Sequence, residues 1–320
     1  MSVARRTEVE TMTRTTTPPL NIEPVPATDA TPVAVSRLNE YYELCKPRVV
    51  MLIVFTAIVG MFMAVPGLPP LAALLWGTIG ISLQAASAAA VNQIIDREID
   101  ARMKRTCGRP LVTGSLTLTH SIAFATALGL AGFVILWFLV NPLTAVLTQL
   151  TLVGYAGVYT LFLKRATPQN IVIGGASGAA PPVLGWVAVT GNIDPHSLIL
   201  FLIIFIWTPP HFWVLAIERR EEYAKVGVPM LPVTHGVEYT ATQVLLYTLL
   251  LIAVTILPFA VGMSGWIYLV AALLLGARFL QLALQIKFAP RKGLNMKTFG
   301  YSIVYLMAIF TALLVDHYLR

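Results

Sequence analysis

Long, continuously apolar segments recur along most of the chain and are separated by short polar segments. A hydrocarbon core about 30 Å thick requires roughly 20 helical residues to cross it, because each residue rises about 1.5 Å. Nine segments meet this requirement, at residues 49–65, 71–91, 121–140, 143–163, 171–189, 197–217, 241–261, 266–286 and 299–318. The pattern predicts an all-α, polytopic membrane protein with nine transmembrane helices around a central cavity.

The composition supports this fold class. Of the 320 residues, 57% are hydrophobic and only 12% are charged, whereas a soluble domain has about 45–50% apolar and about 25% charged residues. These values exclude a cytosolic enzyme, a disordered chain and a collagenous chain. Cys45 and Cys107 lack any metal-binding or redox spacing, so we expect two free thiols.

The basic residues are distributed very unevenly between the two sides of the predicted membrane domain. Of the 22 Lys and Arg residues, 20 lie in the N-terminal tail and the loops on its side, and the opposite loops contain none. By the positive-inside rule, the tail and these loops face the cytoplasm. The formal net charge of +7 therefore reflects membrane topology, and we expect no nucleic-acid partner.

Residues 1–37 are rich in Thr and Pro and contain no sustained apolar run. We predict a disordered cytoplasmic tail, followed by one transmembrane domain at residues 38–320. The tail contains no signal-peptide core, and Glu8, Glu10 and Glu23 are unusual for a mitochondrial presequence. We therefore predict a bacterial plasma (inner) membrane, with a mitochondrial inner membrane as the alternative.

Asn92, Asp96 and Asp100 recur every four residues after the second predicted span. On a helix this spacing places them on one face, where the two carboxylates repel each other. A cation between them would relieve that repulsion. Mg²⁺ prefers oxygen ligands and is often held by one or two carboxylates together with substrate phosphates. We refer to these three residues as the first acidic motif and predict that it binds Mg²⁺.

Basic residues follow this motif directly. Arginine makes paired hydrogen bonds to phosphate oxygens, so acids, metal and bases together indicate a diphosphate-binding site. The alternative is a solvated loop whose positive charge only reflects the positive-inside rule. The basic residues are Arg97, Arg102, Lys104, Arg105 and Arg109.

A similar arrangement recurs after the sixth predicted span. Glu218 and Glu222 repeat the i,i+4 pair of carboxylates, and Lys225 follows. The first pair precedes the Pro-containing segment 110–114, and the second pair precedes the Pro-containing segment 231–236. The distance in sequence from the acids to the threonine of the segment differs by one residue between the two copies. Internal repeats in membrane proteins often build a site at their interface. We refer to Glu218 and Glu222 as the second acidic motif, and two motifs on one cavity would hold two metal ions.

The first acidic motif resembles the first motif of the intramembrane aromatic prenyltransferase superfamily, whose members transfer an isoprenoid chain from an allylic diphosphate. Within this superfamily the chain most closely resembles the members that act on haem. The matching segments lie at residues 45–49, 100–106, 108–111, 159–165, 170–175, 178–182, 185–186, 207–213 and 227–232.

The resemblance implies a reaction and its partners. Farnesyl diphosphate would alkylate a vinyl group of haem B in the lipid bilayer, water would add, and haem O would result. The implied cofactor is Mg²⁺, and the implied recipients of the product are haem A synthase or terminal oxidase assembly factors. The alternative acceptors are a quinone precursor and chlorophyllide. A transporter or channel is a different class that is also polytopic with polar groups in its spans.

The resemblance also implies residue roles. Asn92, Asp96 and Asp100 would be catalytic and bind the metal–diphosphate. The second motif of the superfamily usually contains two aspartates, so either Glu218 or Glu222 is the second metal ligand, and we favour Glu222. The candidate diphosphate-binding residues are Arg102, Lys104, Arg105, Arg109 and Lys225.

Two polar residues inside predicted spans are further candidates. His211 lies in the sixth span between Trp207 and Trp213, and an imidazole at this depth requires a partner. It would contact the haem or the cation, or have a structural partner. Arg278, in the eighth span with Gln281 on the same face, would face a cavity or pair structurally within the bundle.

Overall fold

The computed structural model describes residues 37–320, and within this range the chain forms helices and turns without any strand. The predicted disordered tail therefore lies outside the described residues, apart from Arg37. The helices are α1 (Arg37–Leu44), α2 (Pro47–Met63), α3 (Leu71–Asp100), α4 (Pro110–Thr113), α5 (Leu118–Leu139), α6 (Pro142–Val153), a π-helix (Gly154–Leu163), α7 (Lys164–Ala166), α8 (Asn170–Ala179), α9 (Pro181–Thr190), α10 (Pro195–Glu218), α11 (Arg220–Lys225), α12 (Leu231–Thr234), α13 (Gly236–Ala260), α14 (Trp266–Phe288) and α15 (Leu294–Leu319).

The described residues contain eight helical stretches long and apolar enough to cross a membrane, with mean hydropathies of 1.5 to 2.3. A ninth is the pair α1 and α2, which is bent by 53°. Two spans are composite, since α6 continues through the π-helix into α7 and α8 continues into α9. The predicted all-α fold with nine transmembrane helices is therefore confirmed.

The spans form a closed ring. Helices that are neighbours in sequence also pack together, as α2 does with α3 and α14 does with α15, and α15 packs back against α2 to close the bundle. The ring surrounds a cavity of about 790 Å³. The predicted central cavity is thus present in the structure.

Glycine allows two helices of the ring to approach closely. Gly185 of α9 faces α2, and a Cβ atom on it would overlap the carbonyl oxygen of Ala57. Gly60 of α2 similarly faces the carbonyl group of Pro182. Small residues at such crossings permit backbone contact between transmembrane helices. These two glycines fix the position of α9 beside α2, on one wall of the cavity.

Several spans depart from regular α-helix beside the cavity. Pro181 begins α9 within the fifth span, and Pro209 and Pro210 lie inside α10. Proline removes a backbone hydrogen bond and displaces the preceding turn. Such irregular backbone is tolerated at membrane depth where it lines a cavity. The irregular segments therefore shape the cavity wall.

Candidate active site

The first acidic motif lies on one buried face of α3. This helix continues without interruption from the second span to Asp100. Asn92, Asp96 and Asp100 are only 5%, 3% and 4% exposed, respectively. Glu98, on another face of the helix, is exposed with 75% of its side chain accessible. The four-residue spacing thus places the three polar side chains together, directed into the protein.

Asp96 is the centre of a hydrogen-bond network that joins three helical segments. Its Oδ2 atom accepts from Lys164 Nζ at 2.6 Å and from Asn92 Nδ2 at 3.0 Å. Asn92 Nδ2 also donates to Thr160 Oγ1 at 3.2 Å. The other carboxylate oxygen, Oδ1, is buried without a hydrogen-bond partner. One oxygen of Asp96 is therefore available to a further ligand.

The other two members of the motif also have cationic partners. Arg109 Nη1 forms an ion pair with Asp100 Oδ2, and Lys46 Nζ donates to Asn92 Oδ1. Lys46 has a left-handed backbone, with φ of 50°, which is costly for a residue with a side chain. It lies at the bend between α1 and α2. Its contact with Asn92 is consistent with backbone strain being retained at a functional site.

The second acidic motif does not form one helical face. Helix α10 ends at Glu218, and α11 begins at Arg220, so the two glutamates lie on different helices. Glu218 is exposed and accepts from Asn295 Nδ2 at 3.3 Å. Glu222 is partly buried and forms an ion pair with Arg219 at 2.7 Å. The Oε2 atom of Glu222 is buried without a partner, like Oδ1 of Asp96.

The two loops that carry the motifs meet at Tyr223. The Tyr223 phenol lies within electrostatic range of Arg105 and Arg109 in the first loop and of Glu222 in its own loop. The pKa of the Tyr223 phenol is raised above its usual value, mainly because the side chain is buried. Met103 of the first loop belongs to the same buried apolar cluster. The structure therefore brings together the two loops that carry the predicted motifs.

The predicted diphosphate-binding residues differ in position. Arg109 is largely buried and contacts Asp100. Arg102 lines a small cleft of about 190 Å³ between the two loops. Lys104, Arg105 and Lys225 are exposed at the surface of the same loops. Of this set, only Arg109 directly contacts an acid of the first motif.

The prediction from sequence missed Lys46 and Lys164. Both side chains contact the first acidic motif. Lys46 lies at the bend directly before α2, and Lys164 lies near the end of the fourth span. The positive-inside rule accounts for basic residues at such places, and although both lie in segments that carry the family resemblance, their spacing gave no sign of a contact with the first acidic motif.

The cavity extends from this polar site into the membrane domain. Ala88 and Ala89 of α3 line it one turn before Asn92, so the first acidic motif lies at one end of the cavity. The wall is mostly apolar, with Lys46 among its few charged residues. His211 of α10 also lines the wall. The arrangement is an apolar chamber with a polar, charged end.

Two tyrosines of the π-helix connect the polar end with the chamber. Tyr155 and Tyr159 stack with ring centroids 5.6 Å apart, and both line the cavity. Tyr159 also lies within electrostatic range of Asp96 and Tyr223. A Cβ atom on Gly174 would overlap the Tyr159 ring, so this glycine allows the ring to pack there. The π-helix thus directs Tyr159 towards Asp96 of the first acidic motif and towards Tyr223 of α11.

Arg278 has neither of the two arrangements predicted for it. Its side chain is exposed on the outer surface of α14 and donates to Gln281 Oε1 at 2.5 Å. It does not line the central cavity. Both predicted arrangements, facing a cavity and pairing within the bundle, are therefore wrong for Arg278, since the apolar face of α14 packs inward instead.

The carboxylates provide a suitable ligand set for Mg²⁺. In the described part of the chain, no three His, Cys, Asp or Glu side chains converge as a preformed metal cluster, because the acids are paired with Lys or Arg. Asp96 Oδ1 and Glu222 Oε2 nevertheless have no partner. Both are hard oxygen donors of the kind that Mg²⁺ prefers. The residues present fit this ion.

The fold and the site define a polytopic helical membrane protein with acids and bases at the mouth of an apolar cavity. The model of the UbiA prenyltransferase family matches residues 53–312, so the chain belongs to the UbiA prenyltransferase family. The chain is also 61% identical over 286 residues to a protein of Nitrosococcus oceani named protoheme IX farnesyltransferase, covering 89% of this chain and 96% of that protein.

Solved structures share this fold. A digeranylgeranylglyceryl phosphate synthase has a TM-score of 0.72 at 22% identity, covering 89% of this chain and 99% of that chain. A UbiA homologue from Archaeoglobus fulgidus bound to GPP and Mg²⁺ has a TM-score of 0.60 at 17% identity, covering 86% of this chain and 99% of that chain. At these identities the likeness concerns the fold alone.

Proposed function

We propose that this protein transfers a farnesyl group from farnesyl diphosphate to a vinyl group of haem B and so forms haem O. The observation that carries this proposal is the 61% identity, over 89% of the chain, to a protein named protoheme IX farnesyltransferase. The geometry supports it independently of the name. An apolar cavity of about 790 Å³ suits an isoprenoid chain and a porphyrin, and its charged end suits a diphosphate.

The residues that would hold Mg²⁺ are Asn92, Asp96, Asp100 and Glu222. Glu218 is not assigned this role, because it points towards Asn295. When bound, Mg²⁺ would neutralise the negative charge that develops on the departing diphosphate. Support comes from the unpartnered oxygens of Asp96 and Glu222. A homologue of the same fold was solved with GPP and Mg²⁺.

The basic residues around the first acidic motif would bind the diphosphate. In the structure, Lys164 pairs with Asp96 and Arg109 pairs with Asp100. Lys46 contacts Asn92. A cation bound to the acids would release these side chains to the diphosphate oxygens. Charge-assisted hydrogen bonds of this kind stabilise a leaving group as its charge develops. Arg102, Lys104, Arg105 and Lys225 are the outer candidates, at the surface of the two loops.

The apolar wall of the cavity would control the order of the chemical steps. The bond between farnesyl C1 and the diphosphate oxygen breaks, and C1 bonds to the terminal vinyl carbon of the haem. The cation left on the other vinyl carbon then takes up water and loses a proton, which gives a hydroxyethylfarnesyl group. Exclusion of water until the carbon–carbon bond has formed protects the allylic cation.

We also propose that the protein lies in a bacterial plasma membrane with its N-terminus in the cytoplasm. The uneven distribution of Lys and Arg supports this orientation. Reporter fusions after Gly114 and after Gly236 should both report cytoplasm, and a fusion after Gly191 should report the opposite side. A periplasmic result at Gly114 or Gly236 would refute the orientation. Transfer of haem O to a partner protein stays a prediction.

The haem content of membranes tests the proposed function in cells. Membranes from a host that lacks haem O and expresses this chain should contain a haem more hydrophobic than haem B after extraction and chromatography. The same host with the Asp96→Asn variant should contain haem B alone. If the active chain leaves the haem profile unchanged while a quinone precursor becomes prenylated, haem is not the acceptor.

A further inference from the structure

The side chain of His211 is held rigidly in the wall of the central cavity. Its ring stacks with Trp207 at a centroid distance of 4.2 Å and with Phe299 at 4.6 Å. Two nearly parallel rings this close cannot share one face of the imidazole, so His211 lies between them. Trp207 is itself fixed, because its Nε1 donates to the backbone oxygen of Ser302 at 2.8 Å.

The hydrogen bonds of Ser302 favour one tautomer of this imidazole. The Ser302 hydroxyl has one hydrogen, which it donates to the backbone oxygen of Phe299 at 2.7 Å. His211 Nδ1 lies 2.6 Å from the same hydroxyl oxygen. With its hydrogen on the Phe299 oxygen, the Ser302 hydroxyl accepts from Nδ1–H, so Nδ1 carries the proton in this arrangement. In the neutral ring, Nε2 is then the nitrogen with the free lone pair.

Within the described part of the chain, Nε2 of His211 is not occupied by another group of the protein. It makes no hydrogen bond within residues 37–320 and is not one of the buried polar atoms without a partner. Since His211 lines the cavity, this lone pair is accessible from inside it. Among the described residues that line the cavity, His211 is the single imidazole. A rigid ring whose Nδ1–H is bonded is the usual arrangement of a metal-binding histidine.

We propose that Nε2 of His211 binds the haem iron as an axial ligand and so positions the porphyrin in the cavity. The inference rests on haem being the acceptor, as proposed above. Glu218 follows His211 by seven residues on α10, about 10 Å along the helix axis. Iron bound at His211 would therefore lie deeper than the acidic motifs, with the edge of the porphyrin between the two. Ser302 is a positioning residue in this arrangement.

Haem spectroscopy of the purified full-length protein tests this ligand without relying on turnover. Ferric haem B added to the wild type should give optical and electron paramagnetic resonance spectra of a nitrogen-ligated iron. His211→Ala should lose this signature, and added imidazole should restore it, which also demonstrates an intact cavity. His120→Ala, an exposed histidine in α5, is the matched control and should resemble the wild type.

Ser302→Ala gives a second, milder test. It removes the acceptor that orients His211, and loss of such an outer partner typically weakens metal binding by about 10–100-fold. We expect haem affinity to fall within that range while the nitrogen signature remains. If His211→Ala keeps the wild-type spectrum and affinity, the ligand assignment is wrong. If the wild type still forms haem O in that case, only this inference is refuted. If the wild type neither binds nor farnesylates haem, the proposed function is refuted as well.

Discussion

Lys164 and Asp96 are 68 positions apart in the sequence, yet Lys164 Nζ donates to Asp96 Oδ2 at 2.6 Å. The pair is almost completely buried. A carboxylate at this depth needs a cation beside it, and Lys164 provides it in the protein as described. The second oxygen of Asp96 has no partner. We therefore expect a metal ion to join, or exchange with, the ammonium group.

Asp96→Asn should abolish farnesyl transfer while the protein still inserts into the membrane. The amide preserves shape but removes the metal-binding charge, and losing one such electrostatic contribution lowers rates by about 100-fold or more. Glu98→Gln is the matched control, because Glu98 lies on the same helix but is exposed. Pyrophosphate release by purified variants measures the effect. Near-normal activity of Asp96→Asn at saturating Mg²⁺ would exclude Asp96 as a ligand.

Glu222→Gln and Glu218→Gln should separate the two glutamates of the second motif. Glu222 is partly buried with an unpartnered oxygen, whereas Glu218 is exposed and bonds to Asn295. We expect Glu222→Gln to raise the Mg²⁺ concentration needed for half-maximal rate by about tenfold or more, and Glu218→Gln to leave it unchanged. The reverse result would assign the metal ligand to Glu218.

The fold and part of the site follow directly from the sequence. The apolar segments predict the spans because the bilayer fixes their length. The spacing of Asn92, Asp96 and Asp100 predicts a shared face because helical geometry is local. Both features depend on residues close together in the chain, and both are present in the structure.

Other features of the site depend on contacts between distant segments. Lys46 and Lys164 lie in segments that carry the family resemblance, but they are far from the first acidic motif in the sequence, so local spacing does not predict their contacts with it. The sequence spacing of Glu218 and Glu222 suggested one helical face, but α10 ends at Glu218. The π-helix was also not predicted, because apolar periodicity does not separate it from an α-helix. Tertiary packing decides all of these features.

Lys164→Met should destabilise the protein in the absence of Mg²⁺. Removing one partner of a buried ion pair leaves an uncompensated charge and costs about 3–5 kcal/mol. Mg²⁺ should recover more thermal stability in this variant than in the wild type, because the metal can replace the lost cation. Thermal unfolding in detergent with and without Mg²⁺ measures both effects. Arg165→Met is the control, because the neighbouring Arg165 is exposed, and it should behave like the wild type. Equal unfolding temperatures for Lys164→Met and the wild type would refute the pairing.

Gly185→Ala should destabilise the contact between α2 and α9. The added methyl group would overlap the carbonyl oxygen of Ala57, and backbone cannot move aside as a flexible side chain can. We expect a cost of about 1–3 kcal/mol, typical of overpacking. Gly300→Ala is the control, since its Cβ would meet no atom within 4 Å and alanine favours helix. If both variants unfold at the wild-type temperature, the close approach of these helices is not required.

The identity of the product tests the proposed function most directly. Purified protein should be incubated with haem B, farnesyl diphosphate and Mg²⁺, and the extracted haems analysed by mass spectrometry. We expect a haem with the mass of the hydroxyethylfarnesyl adduct, pyrophosphate released in equal amount, and no product after chelation of the metal. Prenylation of an aromatic acid with haem B left unchanged would contradict the haem acceptor, although the diphosphate site would remain.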